Sequence, residues 1–193
     1  NDAERLEKTI LSVLGQSYEN IEYIIIDGGS TDGTVDLIRS YEGRLCYWLS
    51  EDDHGIYDAM NKGISQTSGS FINFMNAGDC FYSNKTVSNI FEGSGGEDFE
   101  LTDVIYGRHQ VESSQGVKIV DPKNIKHFNR GSRFCHQAVF IATDFHKVNT
   151  YNISNYVAAD FEFFYHAYND NRTFNRLDEV VVRISPGGLS DIN

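Results

Sequence analysis

Strand-like runs alternate with helical patterns over residues 1–79, and this alternation limits the possible folds more than any other feature of the chain. The runs at residues 21–26, 45–50 and 71–79 are largely apolar, and short connections join them to segments with apolar residues at helical spacing. Parallel strands linked by right-handed helical crossovers produce this order. The sequence therefore predicts an α/β fold with a mostly parallel central sheet and helices on both faces.

Local signals indicate where the helices of this first part begin and end. Asp2 is expected to cap a helix that ends at Gly15, and Thr31 or Asp32 to cap a second helix. A short helix is expected at residues 86–91. Another helix before the third strand is expected to present one apolar face, formed by Ile56, Ala59, Met60, Gly63 and Ile64.

From about residue 100 the sequence predicts an α+β arrangement, within one domain of residues 1–193. The runs V-I-Y-G-R-H-Q-V and V-K-I-V are expected to form a hairpin, and residues 134–141 to form a further strand. A helix with Asp160 at its start follows. The last strand, E-V-V-V-R-I-S, is expected to lead into a flexible loop at residues 186–190.

Composition excludes several classes of protein. The formal net charge of −12 disfavours nucleic acid as the partner, and also a purely electrostatic attachment to an anionic membrane. Three cysteines without C-x-x-C spacing indicate neither a disulfide framework nor a zinc site, and they fit a reducing cytosol. No apolar stretch approaches the roughly 20 residues of a transmembrane helix. The motifs of P-loop NTPases, dinucleotide oxidoreductases and α/β-hydrolases are absent.

Acidic side chains occur where the predicted strands end. Asp27, Asp53 and Asp79 each follow a strand, and Asp160 begins a helix. Because ligands collect at the carboxyl ends of parallel strands, we expect these carboxylates at a binding edge of the sheet. Such a set suits a metal-bound diphosphate beside a general base. Each acid also fits a structural role, in a turn or at a helix dipole.

Three ordered motifs make a resemblance specific. They are D-G-G-S-T-D-G-T at residues 27–34, S-E-D-D-H-G-I-Y-D-A-M-N-K-G-I at 50–64 and F-M-N-A-G-D at 74–79. Together they resemble the family-two glycosyltransferases with the GT-A fold, and a later C-H-Q segment is similar to the bacterial branch that builds surface polysaccharides. The resemblance implies a nucleotide-sugar-binding half at residues 1–99 and an acceptor-binding half at residues 100–193.

The resemblance also implies roles for single residues. Asp160 would be the catalytic base, and the donor would be bound by Asp27, Asp53, Asn61 and Asp79. Weaker matches are His136, at the acceptor or the diphosphate, and Gly187 and Gly188, in a loop that closes over the donor. Asp53 fits a solvated acidic loop equally well, and a histidine such as His136 is more often structural.

The metal-binding segment departs from the family pattern. The family carries D-x-D or D-x-D-D, whereas Asn76 and Gly78 stand here at the positions of the earlier acids. The resemblance implies Mg²⁺ or Mn²⁺ at Asp79. A single carboxylate predicts weaker metal affinity, with more of the coordination coming from the diphosphate.

The function that the resemblance implies is an inverting glycosyltransferase. It would move a sugar from a nucleotide-diphosphate-sugar to a hydroxyl of a glycan or lipid-linked acceptor, in the cytoplasm, and peripheral association with the inner face of the plasma membrane is compatible with it. Two alternatives stay open: a catalytically impaired nucleotide-sugar-binding or scaffold domain, and a sugar nucleotidyltransferase, whose glycine-rich basic signature is not visible. The oligomeric state is not indicated.

The start of the chain carries one more expectation. Members of the family place a strand before the first helix, whereas this sequence begins at Asn1 and enters a helical pattern at once. We therefore expect that first strand to be missing, the sheet to begin with residues 21–26, and the donor pocket to be open on one side.

Overall fold

The structure is a computed structural model that describes residues 1–93, 99–113 and 116–185. It contains helices and strands that alternate in the first part of the chain and mix less regularly in the second. The helices are α1 (Ala3–Leu14), α2 (Thr34–Ser40), α3 (Ile56–Gln66), α4 (Thr86–Glu92), α5 (Thr143–Val148) and α6 (Ala159–Asn169). The strands are β1 (Ile24–Asp27), β2 (Tyr47–Ser50), β3 (Phe71–Ile72), β4 (Cys80–Phe81), β5 (Val104–Ser113), β6 (Gly116–Val120), β7 (Val139–Ala142) and β8 (Phe174–Ile184).

Helix α1 begins and ends as predicted. The Asp2 carboxylate accepts a hydrogen bond from the backbone N–H of Arg5, and the Gly15 N–H donates to the carbonyl of Leu11. The predicted cap of α2 is wrong, because α2 begins at Thr34 with Gly33 at the N-cap position and no side-chain cap. The Asp32 carboxylate instead binds the N–H of Thr34 at 3.2 Å, while Gly33 turns the chain at a φ of 94°.

The strands form two sheets, and the larger one is mixed. β1 and β2 pair in parallel in a two-stranded sheet, and the six-stranded sheet has the order β3-β7-β5-β8-β4 with β6 paired to β5. In this second sheet β5 and β8 are parallel and all other pairs are antiparallel. The α/β class is confirmed, but a mostly parallel sheet is wrong. The partner strands of β3 and β4 come from the second half of the chain, which local alternation cannot indicate.

Two strand predictions fail at the same place. The run at 71–79 forms a strand only at Phe71–Ile72, and residues 134–141 form a strand only from Val139 onward, after a 3₁₀ turn at His136–Ala138. Between them the Asn73 side chain donates to the carbonyls of Gln137 and Val139, at 2.9 and 2.8 Å. An amide side chain thus takes the place of backbone pairing. The hairpin β5–β6 and helix α4 are confirmed.

Helices cover both faces of the large sheet, as predicted. Along β5, Val104 and Tyr106 join a cluster that contains the buried faces of α3 and α6, whereas Ile105 joins a cluster with α4 and Val13 of α1. Alternation along a strand sends neighbouring side chains to opposite faces. In the part of the chain that the structure describes, no helix combines the length and apolar character needed to cross a bilayer.

Candidate active site

Asp160 lies in the first turn of α6, as the sequence predicted, and α3 supplies its closest partner. The Tyr57 hydroxyl donates a hydrogen bond of 2.7 Å to Oδ1 of Asp160. Nδ1 of His136 lies 3.8 Å from Oδ2, and 30% of the Asp160 side chain is exposed. The carboxylate is therefore held on one oxygen and still reachable from solvent.

His136 joins this carboxylate to a buried polar chain. The Tyr151 hydroxyl lies 2.9 Å from Nε2 of His136, and the side-chain amide of Asn61 bonds both the N–H and the carbonyl of Tyr151 at 2.9 Å. Burial lowers the pKa of His136, although the charge of Asp160 opposes this shift. His136 is consequently neutral at pH 7. The Asn61 amide is engaged with the backbone of Tyr151, so its donor-binding role stays a prediction.

Asp27 and Asp53 lie together at the carboxyl ends of β1 and β2. Oδ2 of Asp27 accepts hydrogen bonds from the N–H of Ser30 at 2.9 Å and from the hydroxyl of Ser50 at 2.7 Å. Burial raises the Asp27 pKa, but these hydrogen bonds outweigh it and hold the pKa below the ordinary value. A Cβ on Gly28 would collide with the Asp53 carboxylate, which places both acids beside the same glycine turn.

Asp79 is almost fully buried, at 3% exposure. Its Oδ1 accepts from the N–H of Ser185 and its Oδ2 from the side-chain amide of Gln137, both at 3.0 Å. Burial raises the pKa of Asp79, opposed by these two bonds and by the charge of Arg5. The guanidinium of Arg5 lies over Gly78, where a Cβ would collide with it. Asp79 therefore ties the end of β8 to the loop before β4.

The C-H-Q segment connects the two carboxylates. His136 faces Asp160, while the next residue, Gln137, bonds Asp79 and also accepts from the Cys135 thiol at 3.0 Å. Asp79 and Asp160 are thus contacted by adjacent residues of one 3₁₀ turn, although they lie 81 positions apart in the sequence. Tyr57, Tyr151 and Gln137 were not predicted from the sequence to have a role at this site. Two of them lie in motifs that carry the family resemblance, Tyr57 in G-I-Y-D-A-M-N-K-G and Gln137 in C-H-Q, and this was the signal that could have identified them. Tyr151 lies in neither motif.

The residues around Asp79 do not form a divalent-metal site by themselves. Mg²⁺ and Mn²⁺ prefer several oxygen ligands, whereas this corner offers one buried carboxylate whose two oxygens already accept hydrogen bonds. Over residues 1–93, 99–113 and 116–185, no group of three or more His, Cys, Asp or Glu side chains is arranged to hold a metal. Gly187 and Gly188, the predicted loop positions, lie outside the described residues.

His146 is fully buried next to this site, and its burial is expected to make the fold less stable in acid. Burial lowers its pKa to about 4, although the hydrogen bond of Nδ1 to the carbonyl of Asn149 opposes the shift. Between pH 6.5 and about 4 the unfolded chain binds a proton that the folded chain does not, so the free energy of unfolding falls as the pH falls. We expect His146→Phe to lose less stability over this interval, by up to about 3 kcal/mol.

Urea unfolding at pH 7 and pH 4 measures this difference. His127→Phe is the matched control, because His127 is exposed, and it should leave the pH dependence unchanged. A His146→Phe variant with the same loss as the parent would show that His146 is not the group responsible.

Comparison with known sequences agrees with these observations. A sequence model described as Glycosyl transferase family 2 matches residues 1–154. The chain is 34% identical over 166 residues to an uncharacterized glycosyltransferase of Mycobacterium tuberculosis, covering 84% of this chain and 63% of that protein. It is 29% identical over 201 residues to a PGL/p-HBAD biosynthesis glycosyltransferase of Mycobacterium bovis, covering 99% and 76%. The chain thus spans less than two thirds of the first relative.

Solved structures show the same fold at low sequence identity. The crystal structure of Staphylococcus aureus TarS 1–349 in complex with UDP superimposes with a TM-score of 0.72 at 19% identity, over 93% of this chain and 56% of the TarS 1–349 chain. The mannosyltransferase PcManGT of Pyrobaculum calidifontis, in complex with GDP-Man and Mn²⁺, gives 0.72 at 16% identity, over 98% and 55%. The fold is GT-A, and the chain belongs to glycosyltransferase family 2.

Proposed function

We propose that this chain is the catalytic domain of an inverting glycosyltransferase. It transfers a sugar from a nucleotide-diphosphate-sugar to a hydroxyl of a glycan or lipid-linked acceptor, in the synthesis of surface polysaccharide or glycolipid. The observation that carries the proposal is the Asp160 carboxylate, held by Tyr57 on one oxygen, partly exposed, and joined through His136 and Gln137 to Asp79. Family membership and the nucleotide-sugar complexes of the structural neighbours support it.

In the proposed reaction Asp160 acts as the general base. It takes the proton of the acceptor hydroxyl while the hydroxyl oxygen forms a bond to the anomeric carbon of the donor sugar. The bond from that carbon to the phosphate oxygen breaks, and the nucleoside diphosphate leaves with the electron pair. Because attack and departure occur on opposite faces in a single displacement, the configuration at the anomeric carbon inverts.

Donor binding is proposed at the tips of β1 and β2. Asp27 is ionised and rigidly held by Ser30 and Ser50, so it can accept hydrogen bonds from the base or ribose hydroxyls of the nucleotide. Asp53, beside the same Gly28 turn, would complete this side, which belongs to residues 1–99. For Asn61 to contact the donor, its amide would have to exchange the hydrogen bonds that it makes to the backbone of Tyr151. His136 and Asp160 belong to the half at residues 100–193, where the acceptor would bind. The reaction therefore takes place where the two halves meet.

A divalent cation would neutralise the leaving diphosphate, as Mg²⁺ or Mn²⁺ does in general. A structural neighbour was solved with Mn²⁺, but within the described residues this corner offers one carboxylate, Asp79, whose oxygens already accept hydrogen bonds, so donor phosphates would have to supply most of the ligands. None of the proposed bond changes depends on the metal. The three cysteines, Cys46, Cys80 and Cys135, are all free, which supports a reducing cytoplasmic location, and a lipid-linked acceptor would place the protein at the inner face of the plasma membrane.

Ligand-induced stabilisation and transfer assays test the proposal. Full-length protein is heated with UDP, GDP and their sugar conjugates, each with Mn²⁺ and with chelator. A ligand present at 100 times its Kd stabilises the fold by about 2.7 kcal/mol. We expect one nucleotide class to stabilise the protein and its sugar conjugate to be consumed slowly by hydrolysis, with inverted product detected by NMR.

Release of pyrophosphate from a nucleoside triphosphate would instead identify a nucleotidyltransferase. Donor binding without any hydrolysis or transfer, across acceptors of both the glycan and lipid-linked kinds, would overturn the enzymatic proposal in favour of a binding domain. If a nucleotide stabilises the protein equally with Mn²⁺ and with chelator, donor binding does not require the metal.

A further inference from the structure

We propose that Tyr57 and His136 are positioning residues that orient the Asp160 carboxylate, so that Oδ1 is occupied by the Tyr57 hydroxyl and Oδ2 is the oxygen that receives the acceptor proton. This inference rests on the proposed function, in which Asp160 is the base. It goes further by stating which oxygen reacts and which side chains select it. It also assigns a role to the tyrosine of the G-I-Y-D-A-M-N-K-G motif.

The Tyr57 contact has the geometry of a strong hydrogen bond. Its length of 2.7 Å is typical of an O–H donor on a carboxylate, and it joins α3 to α6 across 103 residues of sequence. The side chain of Tyr57 is buried in the core formed by these helices. Burial and the charge of Asp160 raise the pKa of this hydroxyl, so it keeps its proton and always donates. A buried ring cannot swing away, which fixes Oδ1.

His136 faces the other oxygen without bonding it. The Tyr151 hydroxyl lies 2.9 Å from Nε2 of His136, and it keeps its proton because burial raises its pKa, so it can donate to that nitrogen. In the tautomer that accepts this hydrogen bond the ring proton lies on Nδ1, which is 3.8 Å from Oδ2 of Asp160. This distance is too long for a hydrogen bond but short enough for the N–H dipole to attract the carboxylate. Oδ2 is thus oriented and left available to the acceptor.

The titratable side chains that face Asp160 in the described residues are neutral at pH 7. The titratable groups that face Asp160 are Tyr57 from α3, Tyr151 from the loop before α6, and His136 and Cys135 from the segment before β7. Burial raises the pKa of the Cys135 thiol to about 12, so it is neutral as well. Loss of the Tyr57 hydroxyl therefore removes a hydrogen bond to the charged form of Asp160, and none of these neutral groups is a cation that could replace it. The ionised form of Asp160 becomes harder to generate.

The test is Tyr57→Phe. A hydrogen bond to a charged group contributes enough to change an equilibrium or rate by about 10- to 100-fold. We expect kcat to fall by about 10-fold or more, the KM for the donor to stay within about twofold, and the acid limb of the kcat–pH profile to move to higher pH. A purely structural role would lower stability or change KM without moving the pH profile.

Tyr41→Phe is the matched control, because the Tyr41 hydroxyl also bonds a carboxylate, that of Glu7 at 3.1 Å, on the surface between α1 and α2. It should leave kcat and the pH profile unchanged. A His136→Gln variant should show an intermediate loss, because a glutamine amide can present an N–H toward Asp160 but does not reproduce the ring's fixed geometry. A Tyr57→Phe variant with parental kcat and pH profile would overturn the proposal.

A readout that needs no turnover separates this inference from the proposed function. Carboxyl-carbon NMR follows the titration of Asp160 directly, with Asp160→Asn identifying its signal. We expect the titration midpoint of Asp160 to move to higher pH in Tyr57→Phe, whether or not a donor has been found. An unchanged midpoint would overturn the positioning role even if Asp160 proves to be the base, whereas a shifted midpoint in a protein without transferase activity would overturn the proposed function alone.

Discussion

Replacing Asp160 with asparagine is expected to lower kcat for sugar transfer by about 100- to 10,000-fold, the contribution of a general base. The asparagine carbonyl can still accept the hydrogen bond of Tyr57, so the local structure should survive, but the amide cannot take a proton from the acceptor. Donor binding should be retained, because the proposed donor groups lie at the tips of β1 and β2. Steady-state kinetics together with donor Kd from calorimetry measure both quantities.

Asp170→Asn provides the matched control. Asp170 is exposed and follows the last residue of the same helix, so its substitution should leave kcat and Kd unchanged. Parental turnover in Asp160→Asn would eliminate this residue as the base. A loss of donor binding that accompanies the loss of kcat would instead indicate that Asp160 helps to hold the donor.

Truncation of Phe134 to alanine is expected to reduce the free energy of unfolding by about 3–5 kcal/mol. Phe134 is 8% exposed, and its ring lies 4.8 Å from that of Tyr106 on β5 and 4.9 Å from that of Phe164 on α6. The change removes a ring from a close-packed aromatic cluster and leaves a cavity that rigid neighbours fill only partly. Chemical denaturation with tryptophan fluorescence measures the loss.

The cavity would lie beneath the helix that carries Asp160. Phe164 is one turn beyond Asp160 on α6, so we expect activity to decline more steeply with temperature in Phe134→Ala than in the parent. Leu101→Ala is the control, since this side chain is 88% exposed and its removal should cost little. A loss below about 1 kcal/mol in Phe134→Ala would mean that the aromatic cluster collapses around the vacancy.

The segment that ends at Asp79 has fewer acids than the family pattern, yet both oxygens of the Asp79 carboxylate accept hydrogen bonds from the protein. Asn76 and Gly78 contribute no carboxylate, and Asp79 is bound to Gln137 and Ser185. The corner is therefore held by protein groups in the described residues. Asp160, in contrast to Asp79, is partly exposed, and it is the carboxylate that the proposed reaction uses.

Local patterns in the sequence were sufficient for the elements whose stability is local. The cap at Asp2, the hairpin of β5 and β6 and the position of Asp160 at the start of α6 were predicted correctly. The apolar face of α3 was predicted only in part, because the buried residues are Met60, Ile64 and Tyr57, and Tyr57 lay outside the predicted face. Helical periodicity, strand alternation and capping are properties of neighbouring residues, so a single sequence carries them. The three ordered motifs at residues 27–34, 50–64 and 74–79 were sufficient to indicate the family.

The tertiary structure decided what depends on distant partners. The mixed sheet follows from pairs such as Phe71 with Ala142, and the short strand at Phe71–Ile72 follows from the Asn73 amide bonding to the chain opposite. The hydrogen bond from Tyr57 to Asp160 joins residues that no local pattern relates. Such contacts form only when elements far apart in sequence pack together, and burial then sets the charge states of His136 and Tyr57. The sequence by itself determined which acid stands at the start of α6, and the packing of α3 and the C-H-Q segment against α6 determined how that acid is held.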